Sequence, residues 1–329
     1  MSKEKPRNLA ASVRQRLMNL ARAQNEEFQL VLTRYALERL LYRLSQSEHR
    51  DVFVLKGAML FQLWGNQPHR PTRDLDLLGH GENAIPRFER IFREVCKLAV
   101  EEDGLVFNAQ SVRGDAIKED QEYSGLRLTL DCRLENARIP IQIDIGFGDV
   151  VTPAATDVTY PVLLDFPAPV LPAYSRESVV AEKFQTMVML GIANSRMKDF
   201  YDLWVLARQF DFQGPLLCQA IRATFERRRT PVPAEVPVAL SSEFAQDRGK
   251  QTQWRAFISK GKLDTGGAGL DEVIDALRGF LMPAAQTIVA GGSLGMVWPA
   301  LGSWPLLGDA PRRKQDSKPR KSPPTNPPT

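Results

Sequence analysis

Residues 52–78 read VFVLKGAMLFQLWGNQPHRPTRDLDLL, and most of the fold can be argued outward from them. Residues 52–55 form a short β-branched and apolar run, the pattern of a buried strand. Lys56-Gly57-Ala58 turns the chain, and residues 59–64 are apolar enough to open a packed helix. Gly65-Asn66 ends that helix, and Pro68 and Pro71 punctuate a loop. Asp74-Leu75-Asp76-Leu77-Leu78 follows. On a strand, period two sets both carboxylates on one face, where they repel each other and resist burial. Two solvated side chains on an edge strand would account for the pair. So would a divalent cation bridging them, which removes the repulsion and gives Mg²⁺ the oxygen ligands it prefers.

A later carboxylate shifts the weight toward the metal. In residues 138–145, Ile141, Ile143 and Ile145 alternate with Gln142 and Asp144. That strand buries its isoleucines and presents Asp144 on the opposite side. There Asp144 can complete a metal shell or accept a proton from an attacking hydroxyl. Asp149, at the end of Gly146-Phe147-Gly148-Asp149, is its rival, but it reads better as the cap of a turn.

Around this centre the chain divides by composition. Residues 8–47 carry two apolar helical repeats, Leu9, Val13, Leu17 and Leu20, then Phe28 through Leu44, with arginines on the other faces. Those arginines face solvent or offer a surface to RNA. A helix near 84–100 and β segments at 105–110, 125–133 and 138–145 complete an α/β unit. Pro153, Pro161, Pro167, Pro169 and Pro172 mark a loop with one short strand around 160–164. Helices fill 175–285. One begins at Ser178-x-x-x-Glu182 and carries Lys183. The next holds Arg196, Lys198, Asp199 and Asp202 at helical spacing beside Phe200, Tyr201 and Trp204, either an intrahelical ion-pair lattice or the edge of a site. A further helix over 216–229 ends in Arg227-Arg228-Arg229, which suits a helix C-terminus or a phosphate.

Composition narrows the class. A chain of 329 residues, 43% hydrophobic and 25% charged, is an ordinary globular protein. The formal charge of +4 arises in residues 309–329, where six Lys/Arg meet two Asp, so the rest is formally neutral and basicity alone does not argue for nucleic acid. From about Pro311 the chain reads as a disordered basic tail. Cys96, Cys132 and Cys218 show no C-x-x-C spacing and read as reduced thiols. His49, His69 and His80 make no metal-ligand pattern. The N-terminus lacks an apolar run after its charges, which predicts no signal peptide and a cytoplasmic protein. Residues 280–308 are nearly uncharged, but their glycines and prolines fit a helix end and a docking strap rather than a membrane span.

Leu55-Lys56-Gly57, Arg70-x-Thr72-x-Asp74-x-Asp76 and Arg196-x-Lys198-Asp199-x-Tyr201-Asp202-Leu203 resemble the nucleotidyltransferase superfamily and, more narrowly, the AbiEii toxin family that includes the MenT toxins. The resemblance covers roughly residues 30–280. It implies an α/β (α+β) fold: a nucleotidyltransferase-like mixed sheet with flanking helices, followed by a helical second subdomain. The corresponding divisions are an N-terminal helical segment (1–48), the nucleotidyltransferase core (49–170), a helical subdomain (171–290), and a Gly/Pro-rich strap with a basic tail (291–329). It further implies Mg²⁺ or Mn²⁺ held by Asp74, Asp76 and Asp144, and an NTP held by Lys56, Gly57, Ala58, Arg70, Thr72, Lys183, Arg196, Lys198 and Asp199. The NMP would pass to an RNA acceptor such as the tRNA 3′ end, within a toxin–antitoxin or abortive-infection system that encodes an antitoxin partner and serves phage defence or plasmid and genome maintenance. Gly57-Ala58 departs from the usual Gly-Ser or Gly-Gly turn, so phosphate binding would rest on backbone N–H groups and Lys56. A non-catalytic NTP- or RNA-binding protein on the same fold, or a small-molecule nucleotidyltransferase, is the alternative.

Overall fold

The structure, a computed structural model, describes residues 8–65, 70–118 and 124–304. His69 and the basic tail lie outside the described residues. Two helices lead, α1 (Leu9–Gln24) and α2 (Phe28–Ser45). The Asn8 side chain caps α1 by accepting from Ala11 N–H, and Val13, Leu17 and Ala21 form its buried stripe. Then come β1 (Phe53–Lys56), α3 (Leu60–Trp64), β2 (Asp74–Gly79), α4 (Ile85–Lys97), β3 (Leu105–Lys118), β4 (Ser124–Leu134), β5 (Ala137–Phe147), β6 (Thr156–Thr159) and β7 (Val170–Ala173). The second half holds α5 (Arg176–Leu190), α6 (Met197–Gln209), β8 (Phe212–Gln213), α7 (Gly214–Arg227), α8 (Ser242–Gln246), α9 (Arg248–Gly261), α10 (Leu270–Val289) and β9 (Val297–Trp298).

Seven strands make one mixed sheet in the order β3-β4-β5-β2-β1-β7-β6. The strand carrying Asp74 and Asp76 therefore lies at the centre, not at an edge. It runs antiparallel to β1 and parallel to β5. Its alternation works as expected: Leu75 and Leu77 are fully buried with Ile141, Ile143 and Ile145, against a layer containing α2 and α4. The acids face the other way. Residues 160–164, expected as a strand, are not one; the strands lie on either side, at β6 and β7, where Tyr160 N–H donates to the Pro169 carbonyl.

The arginines of α2 are a second difference. Arg39 and Arg43 are buried, not solvated. Arg43 forms a two-pronged pair with Asp103, at 2.6 and 3.0 Å, and Arg39 donates to the same carboxylate at 3.0 Å. Arg39 also donates to the Pro167 carbonyl, and Glu38 accepts from Leu163 N–H. These bonds pin α2 to two loops, the one that leads into β3 and the one between β6 and β7, at opposite edges of the sheet. Apolar periodicity hides such a network, because the partner Asp103 is remote in sequence.

In the second half α5 packs on α7, and α10 packs on α6 and α7. Tyr174 N–H donates to the Leu55 carbonyl, and Ser175 caps α5. The helix thus starts directly beyond the end of β1, which brings its Glu182 to Lys56, while Lys183 meets α6. Residues 291–304 fold back over the helices. There β9 pairs with β8, Trp298 donates to the Ala207 carbonyl and Trp304 to that of Phe280. Among the described residues no helix is long and apolar enough to cross a membrane.

Asp103→Asn strips Arg43 of its counter-charge and leaves Arg39 only Glu38, 3.9 Å away. We expect a loss of about 3–5 kcal/mol, measured as a lower urea midpoint with an unchanged slope; a loss below 1 kcal/mol would show that the network is not a structural tie.

Candidate active site

Register brings the acids together. Asp76 on β2 is the direct partner of Asp144 on β5, and Lys56 on β1 is the partner of Asp76 on the other side. Gly57 then turns with φ +79°. A Cβ built there would lie 2.0 Å from Oδ2 of Asp76, so only glycine allows the backbone this close to the carboxylate. Burial pushes Asp76 up to about 6, with Asp144 and Asp74 adding to the rise and Lys56 and Lys198 opposing it. Asp74 is raised as well, by burial and then by Asp144. Among the described residues neither carboxylate receives a hydrogen bond or forms an ion pair.

Asp144 is different. Arg127, its cross-strand neighbour on β4, grips it with two bonds of 2.8 and 2.7 Å. Strand alternation between Leu126 and Leu128 puts Arg127 on one face of its strand, but nothing in the sequence says which strand pairs with which, so period alone does not connect it to Asp144. The guanidinium leaves Asp144 beside Asp76 yet turned to another cation. The three acids consequently share a face without converging on one point. Among the described residues, the only three-residue set whose ligand atoms all lie within 4.8 Å of one another is Glu48, His49 and Glu94. His49 there already bonds Glu94 at 2.6 Å, a pairing that sequence spacing could not foretell.

A cleft of about 140 Å³ opens beside Asp76. Lys56, Gly57, Ala58, Arg70, Lys183, Arg196, Lys198 and Asp199 all line it. Thr72 does not; its hydroxyl donates to the Asp74 carbonyl at 3.3 Å. Asp74 lies outside the cleft wall, over a neighbouring depression shared with Gln142.

Most of the cations in the cleft already have partners. Lys56 reaches Asp149 at 3.1 Å and Glu182 at 3.7 Å. Arg228, at the end of α7, donates to Asp149 at 2.8 and 3.1 Å and to Gln185 at 2.8 Å. Asp149 is thus no turn cap: it joins the sheet to α7, and Lys56 and Arg228 outweigh its burial to hold its carboxyl below the usual range. Glu182 is raised by burial, as is Tyr174 beside it, and Oε1 of Glu182 and the Tyr174 hydroxyl lack hydrogen bonds of good geometry. Arg70, expected at a triphosphate, grips Asp202 instead, at 2.7 and 2.9 Å. Lys183 bonds Asp199 and sits 2.9 Å from Asp202. Burial works to lower the Lys183 pKa, but these two acids outweigh it and raise the value. Lys198 alone among the four lysines and arginines at 70, 183, 196 and 198 is exposed, and its charge is felt by both Asp74 and Asp76.

The donor set suits a divalent cation. Asp74 and Asp76 are hard oxygen ligands on one face, held near a third carboxylate and satisfied by no protein donor, which is the arrangement that a bound cation relieves. Asp144 could join them only on leaving Arg127.

A profile of the family described as “Nucleotidyl transferase AbiEii toxin, Type IV TA system” matches residues 39–276. Two solved structures from Helicobacter pylori are similar at 15% identity: JHP933 (TM-score 0.42; 77% of this chain and 89% of that one) and a protein provisionally assigned as a nucleotidyltransferase (TM-score 0.41; 77% and 92%). No curated protein matches the chain.

Two measurements probe the acidic face. The native state binds the Asp76 proton more tightly than the unfolded chain, whose carboxyl titrates near 3.8. Stability contributed by this group therefore falls as pH rises from about 4 to 6 and stays lost above. Asp76→Asn should exceed the wild type by about 2–3 kcal/mol at pH 8 and match it below pH 4; a difference independent of pH would contradict the perturbation. Arg127→Ala frees Asp144 from a partly exposed pair worth about 0.5–1 kcal/mol. Mn²⁺ binding followed by electron paramagnetic resonance should tighten severalfold, whereas unchanged affinity would remove Asp144 from the ligand set.

Proposed function

The chain belongs to the AbiEii nucleotidyl transferase toxin family of type IV toxin–antitoxin systems, and on that premise we propose that it transfers NMP from an NTP to an RNA acceptor, foremost the 3′ end of tRNA. The observation that carries this reading is the cross-strand placement of Asp76 against Asp144 beside a cation-lined cleft. Asp74 and Asp76, which no protein donor among the described residues satisfies, are costly to keep beside a third carboxylate, and a protein that only bound nucleotide would have no use for them.

Mg²⁺ or Mn²⁺ held by Asp74 and Asp76, with Asp144, would neutralise the phosphates and stabilise charge at the oxygens that change bonds. The chain's own groups do the rest. Lys198, exposed at the rim, meets the incoming triphosphate first. Lys56 and Lys183 exchange a carboxylate partner for phosphate oxygens, aided by the backbone N–H groups of Gly57 and Ala58. Arg196 contributes at the same rim, and Asp199 and Asp202 keep Lys183 in place. Arg70, locked to Asp202, positions that pair rather than touching phosphate. The acceptor oxygen attacks the α-phosphorus in line as the α–β bridging bond breaks, and pyrophosphate leaves. Asp144, released from Arg127, accepts the hydroxyl proton on a carboxylate oxygen. Preorganised cations around the shifting charge supply the rate gain. An antitoxin made with the protein would restrain this activity.

The direct test incubates the protein with each labelled NTP, Mg²⁺ and total RNA, beside Asp74→Ala/Asp76→Ala. Label should enter RNA and fall at least about a hundredfold in the variant. Nucleotide binding without label transfer would favour a non-catalytic binder, and label in a small hydroxyl compound alone would favour small-molecule nucleotidylation. Induced wild type should slow growth where the variant does not.

A further inference from the structure

A second and larger cavity, of about 840 Å³, lies next to the cleft. Its size is that of a ligand site rather than a packing defect. Arg70 lines both cavities. Helix α6 forms the partition: Lys198 and Asp199 line the cleft, while Tyr201, Trp204, Val205 and Arg208, at spacing i, i+3, i+4 and i+7, line the groove. The opposite wall is the end of α9 and the turn after it, with Lys260 and Lys262.

The charges there are unevenly satisfied. Two of the groove's acids are paired with arginines, Glu26 with Arg34 at 2.7 Å and Glu27 with Arg73 at 3.6 Å; the third, Asp264, accepts among the described residues only from Gly266 N–H, so three exposed cations face one carboxylate that has no cationic partner. Arg208, Lys260 and Lys262 are exposed, and among the described residues none of them meets a carboxylate. Arg208 instead lies 5.1 Å from the centre of the Trp204 ring. The helix dipole favours a cation in the last turn of α6 and of α9, which accounts for Arg208 and Lys260 one at a time. It does not account for both helices ending on one groove, where Lys262, the C-cap residue of α9, adds a third cation. The floor is apolar, with Tyr201 and Trp204 almost wholly buried, so it leaves little open ring face for a base to stack on.

We propose that this groove is the acceptor track. It holds the single-stranded end of an RNA by its phosphates, on Arg208, Lys260 and Lys262, and leads the terminal hydroxyl past Arg70 to Asp76. The choice of RNA rests on the transfer reading above; the surface itself does not. Recognition through phosphates over an apolar floor would be tolerant of sequence and steeply dependent on salt.

The test uses the full chain and a 5′-fluorescent single-stranded RNA of about 12 nucleotides, followed by anisotropy across a salt series. The variant is Arg208→Gln/Lys260→Gln/Lys262→Gln, checked for an unchanged thermal melt and unchanged NTP binding. Its RNA affinity should drop at least tenfold at 0.1 M salt. The slope of log affinity against log salt should shrink by about 2, as expected for three lost contacts on a single strand. Asp74→Ala/Asp76→Ala should bind RNA like the wild type. An unchanged affinity and slope in the triple variant, or no RNA binding by the wild type, overturns the proposal; so does a finding that these three side chains are needed to hold a protein but not RNA. RNA binding that depends on the three cations, in a wild type that transfers no label, would refute the transfer reading and leave the groove standing.

Discussion

Carboxylates at the middle of the sheet repel one another, and the rest of the cleft is arranged around that repulsion. Asp74 and Asp76 share a strand face, and the parallel neighbour sets Asp144 beside Asp76. Burial and mutual charge raise the first two, so the folded protein carries an electrostatic penalty at neutral pH. Several features answer it. Arg127 takes Asp144, Lys56 and Lys198 spread positive potential over Asp76, and Gly57 yields the space that the Asp76 carboxylate occupies. The apolar back of the same strands, covered by a layer containing α2 and α4, holds the acids in position against their repulsion.

Beyond the acids the cleft is a set of cations already matched to carboxylates. Lys56 and Arg228 meet Asp149 and Glu182; Arg70 and Lys183 meet Asp199 and Asp202. Buried pairs of this kind contribute little net stability, because desolvation offsets their attraction, but they keep long side chains in place. Lys56 and Lys183 are each matched to a buried carboxylate, so an anion taking its place would leave that carboxylate in need of another donor. Lys198 is exposed and needs no exchange, which suits it to first contact. Helix α6 ties the two cavities together, since successive faces of one helix supply Lys198 and Asp199 to the first and Trp204 and Arg208 to the second.

Strand alternation by itself determined that Asp74 and Asp76 face together, that Asp144 opposes its isoleucines, and that a Lys-Gly turn precedes the acidic strand. Helical spacing likewise set Arg196, Lys198, Asp199 and Asp202 near one another. These are properties of period and hold wherever the segment packs. Pairing is not such a property. That Asp76 meets Asp144, that Arg127 removes Asp144 from its neighbours, that Arg70 serves Asp202, and that Asp149 bridges Lys56 and Arg228 depend on strand order and on helices arriving from far along the chain. The same holds for Arg39 and Arg43, whose helical pattern reads as solvated until Asp103 is brought against them. An ion pair forms where two side chains meet in space, and one sequence carries no record of that meeting; only the tertiary structure decided which charge answers which.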